Sequence, residues 1–229
     1  MTHPAAQRRL PPFLRRYVLD FETRIDRAVL ELAETTPDGA RVLDAGAGEC
    51  RHAGFFKGRR YVGVDLACGD ALWDYKRLSA VADLAHLPFA AETFDAALNI
   101  VTLEHVREPL AVLQEIARVL RPGGRLLLAA PQEWEIHQAP HDYYRYTRYG
   151  VRYLLERAGF GSVCVLPAGG FFRLLSRRLL NALGFFHGFW FVLATVFVAP
   201  PALVLPLLDG LDRERNFTLG YICTARRLS

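Results

Sequence analysis

The sequence predicts an α/β fold: an open, doubly wound sheet with helices on both faces. Three observations carry that prediction. Short apolar stretches alternate with longer stretches of helical periodicity. Two of the short stretches, Arg41-Val42-Leu43-Asp44 and Tyr61-Val62-Gly63-Val64-Asp65, each end on an acid, and the first runs straight into a glycine loop. A length of 229 residues suits one such domain and is tight for two.

Each element follows in order. Leu14, Val18, Phe21, Ile25, Val29 and Leu32 recur at helical spacing across 13–34, with charges between them, and predict one or two amphipathic helices. Pro37-Asp38-Gly39 sets a turn before the first strand. A short helix is expected over 50–57, strands over 61–65 and 94–100, and a weaker strand from Ala80 to Asp83. Glu108 to Leu120 has helical periodicity, and Arg121-Pro122-Gly123-Gly124 stops it. Leu126 to Ala130 is nearly all apolar, as a strand covered on both faces would be. Thr147 to Ala158 reads as a helix closed by Gly159, and Ser162 to Leu166 and Gly220 to Thr224 read as closing strands, seven in all. No linker divides the chain, so a single domain is expected over 1–229. It comprises an N-terminal helical segment (1–36), a core (37–170), a hydrophobic insertion (171–210) and a closing strand (211–229).

Composition narrows the partners. A net charge of +4 is too mild to argue for nucleic acid, and none is expected. Cysteines 50, 68, 164 and 223 form no C-x-x-C pair, so no metal is expected and a reducing compartment fits. The start, Met-Thr-His-Pro, leads into polar and basic residues without a signal-peptide core, and a cytoplasmic location is expected.

The loop Asp44-Ala45-Gly46-Ala47-Gly48 is the first site candidate. Open α/β sheets bind ligands at the carboxyl ends of their strands, and glycine lets the backbone come close to a ligand. Asp65 closes the next strand 21 positions on, where an acid can bind a ribose diol. A dinucleotide-binding oxidoreductase shares both features. A pyrophosphate, however, needs bare amides at a helix N-terminus, and Asp44 would repel it. The third glycine of G-x-G-x-x-G is also missing. A cationic, phosphate-free cofactor fits the acids better.

VLDAGAGEC, YVGVDL, VADLAHLPFA, FDAALNIVTLEHV and LQEIARVLRPGGRLLLAAP together resemble the successive motifs of class I S-adenosylmethionine-dependent methyltransferases, nearest to the type 11 small-molecule family, across about 40–165. The resemblance implies a Rossmann-like sheet, mostly parallel with an antiparallel last strand. It implies that Asp44, Gly46, Ala47 and Gly48 cradle the methionine moiety of S-adenosylmethionine. It places Asp65 on the ribose hydroxyls, Leu66 under the adenine, Asp83 and Leu84 beside the adenine amino group, and Asn99, Ile100 and Val101 along the methionyl side.

Methyl transfer from a sulfonium mainly requires alignment and exclusion of water. The segment 133–146, after the fifth strand, is dense in titratable and aromatic groups. His137 or His141 is a candidate base with Asp142 as orienter, and Trp134, Tyr143, Tyr144 and Arg145 are candidates for acceptor binding. The competing reading is structural, with Asp142 and Arg145 pairing to cap the next helix and the tyrosines packing. His105 reads as a loop-fixing residue. Asn99-Ile100-Val101-Thr102 departs from the Asn/Asp-Pro-Pro-Tyr-like motif of amino-type nucleic-acid methyltransferases.

From Phe185 to Leu208 there is no Lys, Arg, Asp or Glu. Before it, Leu174, Leu175, Leu179, Leu180 and Leu183 with Arg173, Arg177 and Arg178 give a basic amphipathic pattern suited to an anionic lipid surface. One crossing would strand the final strand on the wrong side of a bilayer, and two need about 40 residues. The readings left are peripheral contact over 171–208 at the inner membrane face (an interfacial helix, or a hairpin turning at Pro200-Pro201), a lid over the acceptor pocket, or a homodimer interface. The function expected is methyl transfer to a small, lipophilic or membrane-associated acceptor. The rivals are a nicotinamide-dependent oxidoreductase and a non-catalytic membrane-associated cofactor-binding module.

Overall fold

A computed structural model describes Tyr17, residues 19–69 and residues 72–229. Leu14 and Val18, counted in the first helical pattern, lie outside the described residues, as does the Met-Thr-His-Pro start. The described residues fall into two compact units, one within 25–166 with 220–229 and the other of Tyr17 and 19–24 with 167–219.

The larger unit is built on a seven-stranded sheet. Its strands are β1 (Arg41–Ala45), β2 (Arg60–Asp65), β3 (Ala80–Val81), β4 (Phe94–Ile100), β5 (Leu120–Pro131), β6 (Phe160–Pro167) and β7 (Gly220–Arg227), in spatial order β3-β2-β1-β4-β5-β7-β6. The first five lie parallel to their neighbours, with Asp44 opposite Gly63 and Leu98. β7 runs antiparallel to β5, with Leu128 opposite Cys223. This is the Rossmann-like arrangement the sequence predicts, antiparallel strand included. Val42, Leu43, Ala45, Ala96, Ala97 and Leu98 are all fully buried, the mark of strands covered on both faces.

The helices are α1 (Asp20–Glu34), α2 (Pro109–Val119) and α3 (Arg148–Arg157), then α4 (Phe171–Ala182) and α5 (Gly188–Val204) in the smaller unit, which α1 enters at its first residues. Phe21, Ile25, Val29 and Leu32 of α1 are buried, as their spacing requires. Thr147 caps α3 by accepting from the Gly150 amide at 3.0 Å.

Several local expectations are corrected. The helix over 50–57 is a 3-10 helix, Arg51–Phe56. The third strand shrinks to two residues, since it is an edge strand and Val81 is exposed. Residues 121–124 do not separate helix from strand. Leu120 already pairs with Phe94, and Arg121, Pro122 and Gly123 bulge outward before Arg125 pairs with Ala96.

In the smaller unit, α4 and α5 are joined by Ser176 Oγ donating to the Ala202 carbonyl at 2.5 Å. α5 has no turn at Pro200-Pro201. The helix runs through both prolines, and the Leu205 amide reaches the Pro201 carbonyl. The arginines of α4 are not spread outward as the basic pattern suggests. Arg177, only 6% exposed, pairs with Glu22 at 3.0 Å, and Arg173 pairs with Asp20 at 3.3 Å and Asp209 at 3.4 Å. α5, by contrast, is apolar and turns most of its large side chains outward: Phe189, Trp190, Val192, Val196 and Phe197 are each well exposed, while Ala202 is buried.

Candidate functional site

β1 delivers Asp44 to the carboxyl edge of the sheet with only 1% of its surface exposed. Tyr61, on β2, donates a 2.5 Å hydrogen bond to its Oδ2. Gly63, opposite Asp44 on β2, leaves room there: a Cβ on it would fall 2.7 Å from Cys50 Sγ and 3.3 Å from the Tyr61 ring. Burial, and then the Asp44 charge, push the Tyr61 phenol well above its ordinary pKa, so it remains a donor. His52 Nδ1 stands 3.5 Å from the same Oδ2. Oδ1 of Asp44 is buried and has no hydrogen-bond partner among the described residues.

The loop that follows is held open by backbone geometry. Gly46 has φ +90, and a Cβ on it would fall 2.2 Å from Thr102 Cγ2. Its amide and that of Ala47 both donate to the Val64 carbonyl, at 2.8 and 3.0 Å. Gly48 has φ +50, and a Cβ there would come within 3.1 Å of the Trp73 ring. Asp65 ties the loop down: Oδ2 accepts from the Gly48 amide at 2.9 Å and Oδ1 from the Ala67 amide at 2.8 Å. An orphaned carboxylate oxygen beside two glycines in left-handed conformations fits the cationic amino group of S-adenosylmethionine.

The remaining cofactor candidates occupy mixed surroundings. Leu66 is 53% exposed and Leu84 is buried. Asp83 is exposed, and its Oδ1 accepts from the Ala85 amide at 2.9 Å. Asn99 is fully buried: its amide donates to the Ala45 carbonyl at 2.9 Å, which locks β4 to the start of the loop, and its Oδ1 has no partner among the described residues. Ile100 is half-buried. Val101 has φ +50, a strained state for a β-branched residue, at the strand end where the chain turns into Thr102.

The segment 133–146 folds over a second cluster, centred on Glu104. Glu104 is fully buried, and neither carboxylate oxygen accepts a hydrogen bond from another of the described residues. Burial pushes its carboxyl up to about 8, although Arg145 nearby pulls the other way. His105 Nε2 and His137 Nε2 stand 3.7 and 3.8 Å from Glu104 Oε1, and 3.0 Å from each other. Burial lowers the His105 pKa. Asp142 accepts two bonds from Arg145, at 2.6 and 2.8 Å, and one from the His137 amide at 2.8 Å. The Arg145 bonds hold its carboxyl down to about 2.

Arg145 also donates to the carbonyls of Trp134 and Glu135, so it staples the segment to itself. Asp142 and Arg145 thus pair, but Thr147 rather than either of them caps α3. The His141 ring faces the Tyr143 hydroxyl at 3.1 Å, and the amides of Tyr143 and Tyr144 donate to the Glu104 carbonyl at 2.9 and 3.3 Å.

Sequence reasoning missed Tyr61, Trp73, Thr102 and Glu104. Only Glu104 carried a usable signal, as an acid beside His105 just past the apolar strand 94–100.

The methyltransferase domain family matches residues 43–128. A tRNA (carboxymethyluridine(34)-5-O)-methyltransferase of Arabidopsis thaliana is 28% identical over 144 residues, covering 58% of this chain and 34% of the relative. The demethylmenaquinone methyltransferase of Clavibacter sepedonicus is 34% identical over 100 residues, covering 44% and 39%. The chain thus spans between a third and two fifths of the length of these relatives. Among solved structures, the Burkholderia thailandensis 1,6-didemethyltoxoflavin-N1-methyltransferase matches with a TM-score of 0.57 at 18% identity, covering 96% of this chain and 92% of that one, and shares the fold.

Proposed function

That this chain belongs to the class I S-adenosylmethionine-dependent methyltransferases, with its family match over residues 43–128, is the premise from which we propose that it transfers a methyl group from that cofactor to a lipophilic acceptor at a membrane surface. The donor half rests on the buried Oδ1 of Asp44, unpartnered among the described residues, beside Gly46 and Gly48. A nicotinamide cofactor would set its pyrophosphate against that carboxylate. Asp65, Leu66, Asp83, Leu84, Asn99, Ile100 and Val101 complete the proposed cofactor side.

On the acceptor side, Asp142 orients His137 through its amide, and His137 and His141 border the space with Trp134, Tyr143, Tyr144 and Arg145. The enzyme's main task is alignment of an in-line displacement away from water.

The lipid half rests on α5. Residues 188–211 form a helical stretch long and apolar enough for a membrane, and in α5 the large side chains point outward rather than into a core. The insertion leaves the sheet at β6 and re-enters it at β7, its neighbour, so a single crossing would pull these adjacent strands away from each other. α5 therefore lies along the interface in this reading. Demethylmenaquinone, named for the Clavibacter relative, is an acceptor of the kind proposed.

Calorimetry with S-adenosylhomocysteine, followed by transfer of labelled methyl to quinol-type acceptors in lipid vesicles, tests both halves. Absence of cofactor binding overturns the reading. Transfer to tRNA but not to vesicle-borne acceptors would replace its acceptor half with the kind named for the Arabidopsis relative.

A further inference from the structure

We propose that Glu104, His105 and His137 form a binding site for a divalent transition-metal cation, with Zn²⁺ as its simplest occupant. The three ligand atoms are Glu104 Oε1, His105 Nε2 and His137 Nε2, at mutual distances of 3.0, 3.7 and 3.8 Å. A triangle with those sides has its centre about 2 Å from every corner, the length of a zinc bond to imidazole nitrogen or carboxylate oxygen. A cation fits there with little movement of the protein.

The hydrogen bonds of the two rings point the same way. His105 Nδ1 lies 2.5 Å from the His141 carbonyl, and His137 Nδ1 lies 3.0 Å from the Glu135 carbonyl. A carbonyl only accepts, so both Nδ1 atoms donate, and in the neutral rings both Nε2 atoms carry lone pairs. Two such lone pairs therefore face each other at 3.0 Å beside the buried Glu104 carboxyl, which no other described residue hydrogen-bonds. One cation between them satisfies all three. Backbone carbonyls on the far nitrogens are the usual outer support of metal-bound histidine, and Asp142 fixes the His137 backbone as well.

The donor set selects the ion. Two imidazoles and one carboxylate suit zinc and its first-row neighbours rather than calcium or magnesium, which prefer all-oxygen sites. Three protein ligands leave at least one position open, the pattern of catalytic rather than structural sites. The His137 side chain, 23% exposed, marks the accessible side. When bound, the cation supplies Lewis acidity to an oxygen of the acceptor, and His137 is then a ligand, not a base. That chemical role rests on the methyltransferase reading; the binding of the cation does not.

The test uses the full chain, stripped with chelator and titrated with Zn²⁺ and Co²⁺, with S-adenosylhomocysteine binding measured in parallel. One equivalent of either metal is expected, and Co²⁺ should develop visible absorption bands. Glu104→Gln, near in shape and uncharged, and His137→Asn at the accessible edge should each weaken binding about tenfold or more. His86→Asn, on an exposed histidine, should not. Should Glu104→Gln not fold, His137→Asn decides. The proposal is overturned if the native chain takes up no stoichiometric metal, or if both ligand variants bind it undiminished. Loss of S-adenosylhomocysteine binding alone overturns the methyltransferase reading and leaves the metal site standing.

Discussion

Tyr61 donates to Asp44 Oδ2 across the β1–β2 pair and leaves Oδ1 as a buried oxygen with no partner among the described residues. The charge on Asp44 is thus half-satisfied before any ligand arrives. Asp44→Asn removes the charge but keeps an acceptor for Tyr61. Thermal stability should hold or rise, because an incompletely paired buried charge is costly. S-adenosylhomocysteine affinity should fall by about tenfold or more, roughly 1.4 kcal/mol. Calorimetry and a melting curve separate the two effects, and equal affinity in variant and native protein would remove Asp44 from the cofactor site.

Gly46→Ala should be among the most damaging small changes in the chain. The new methyl meets Thr102 at 2.2 to 2.7 Å, and alanine also resists φ +90. A loss of about 3 kcal/mol is expected from overpacking and backbone strain together. Adding Thr102→Ala should restore the steric share and leave the backbone share. If the double variant is no more stable than the single one in urea titration, Thr102 is not the obstacle.

Glu115 gives a pH signature away from the site. Its carboxylate accepts from Arg118 at 2.7 and 2.8 Å and from the Leu87 amide at 2.9 Å, and the Arg118 bonds lower its pKa. A depressed folded-state pKa stabilises the fold above the unfolded value, about 4.3 for glutamate. That contribution is lost as pH falls through the folded value. Glu115→Gln should cost about 1 kcal/mol at neutral pH. The gap to the native protein should close in acid, and a gap that stays constant from pH 7 down to unfolding would contradict the assignment.

The proposed lipid contact has its own prediction. Arg173 and Arg177 are engaged by Asp20, Asp209 and Glu22, so attraction to anionic headgroups is secondary. Co-sedimentation with neutral phosphatidylcholine vesicles should already be substantial. Trp190→Asp with Phe197→Asp should abolish it without lowering stability, because both side chains are exposed. Binding that requires anionic lipid would return the weight to α4.

The sheet was legible because covered strands must read as apolar runs and helices as 3.6-residue patterns, and those signals are local. β3 was overdrawn because an edge strand with an exposed Val81 has no second face to enforce its length. The glycine loop was legible for its unusual composition. Its partners were not: Thr102 reaches Gly46 from another strand end, and Trp73 reaches Gly48 from the connection after β2. The Glu104, His105 and His137 cluster follows no local ligand spacing, since 32 residues separate the two histidines and only the folding-over of 133–146 joins them. The inward turn of the α4 arginines depends on acids at 20, 22 and 209, which helical periodicity cannot see.

β7 lies between β5 and β6, yet it follows the whole apolar insertion in chain order. β6 therefore has no neighbour on that side until β7 has been made. During synthesis, at about 5–20 residues per second, α5 emerges while the sheet still has a gap. For several seconds a naked apolar helix and an open strand edge coexist on one nascent chain, the combination most prone to aggregation. Early adsorption of α5 to a bilayer would shorten that interval. If α5 meets lipid as proposed, the order of the strands makes the moment of that encounter a matter of successful folding as well as of location.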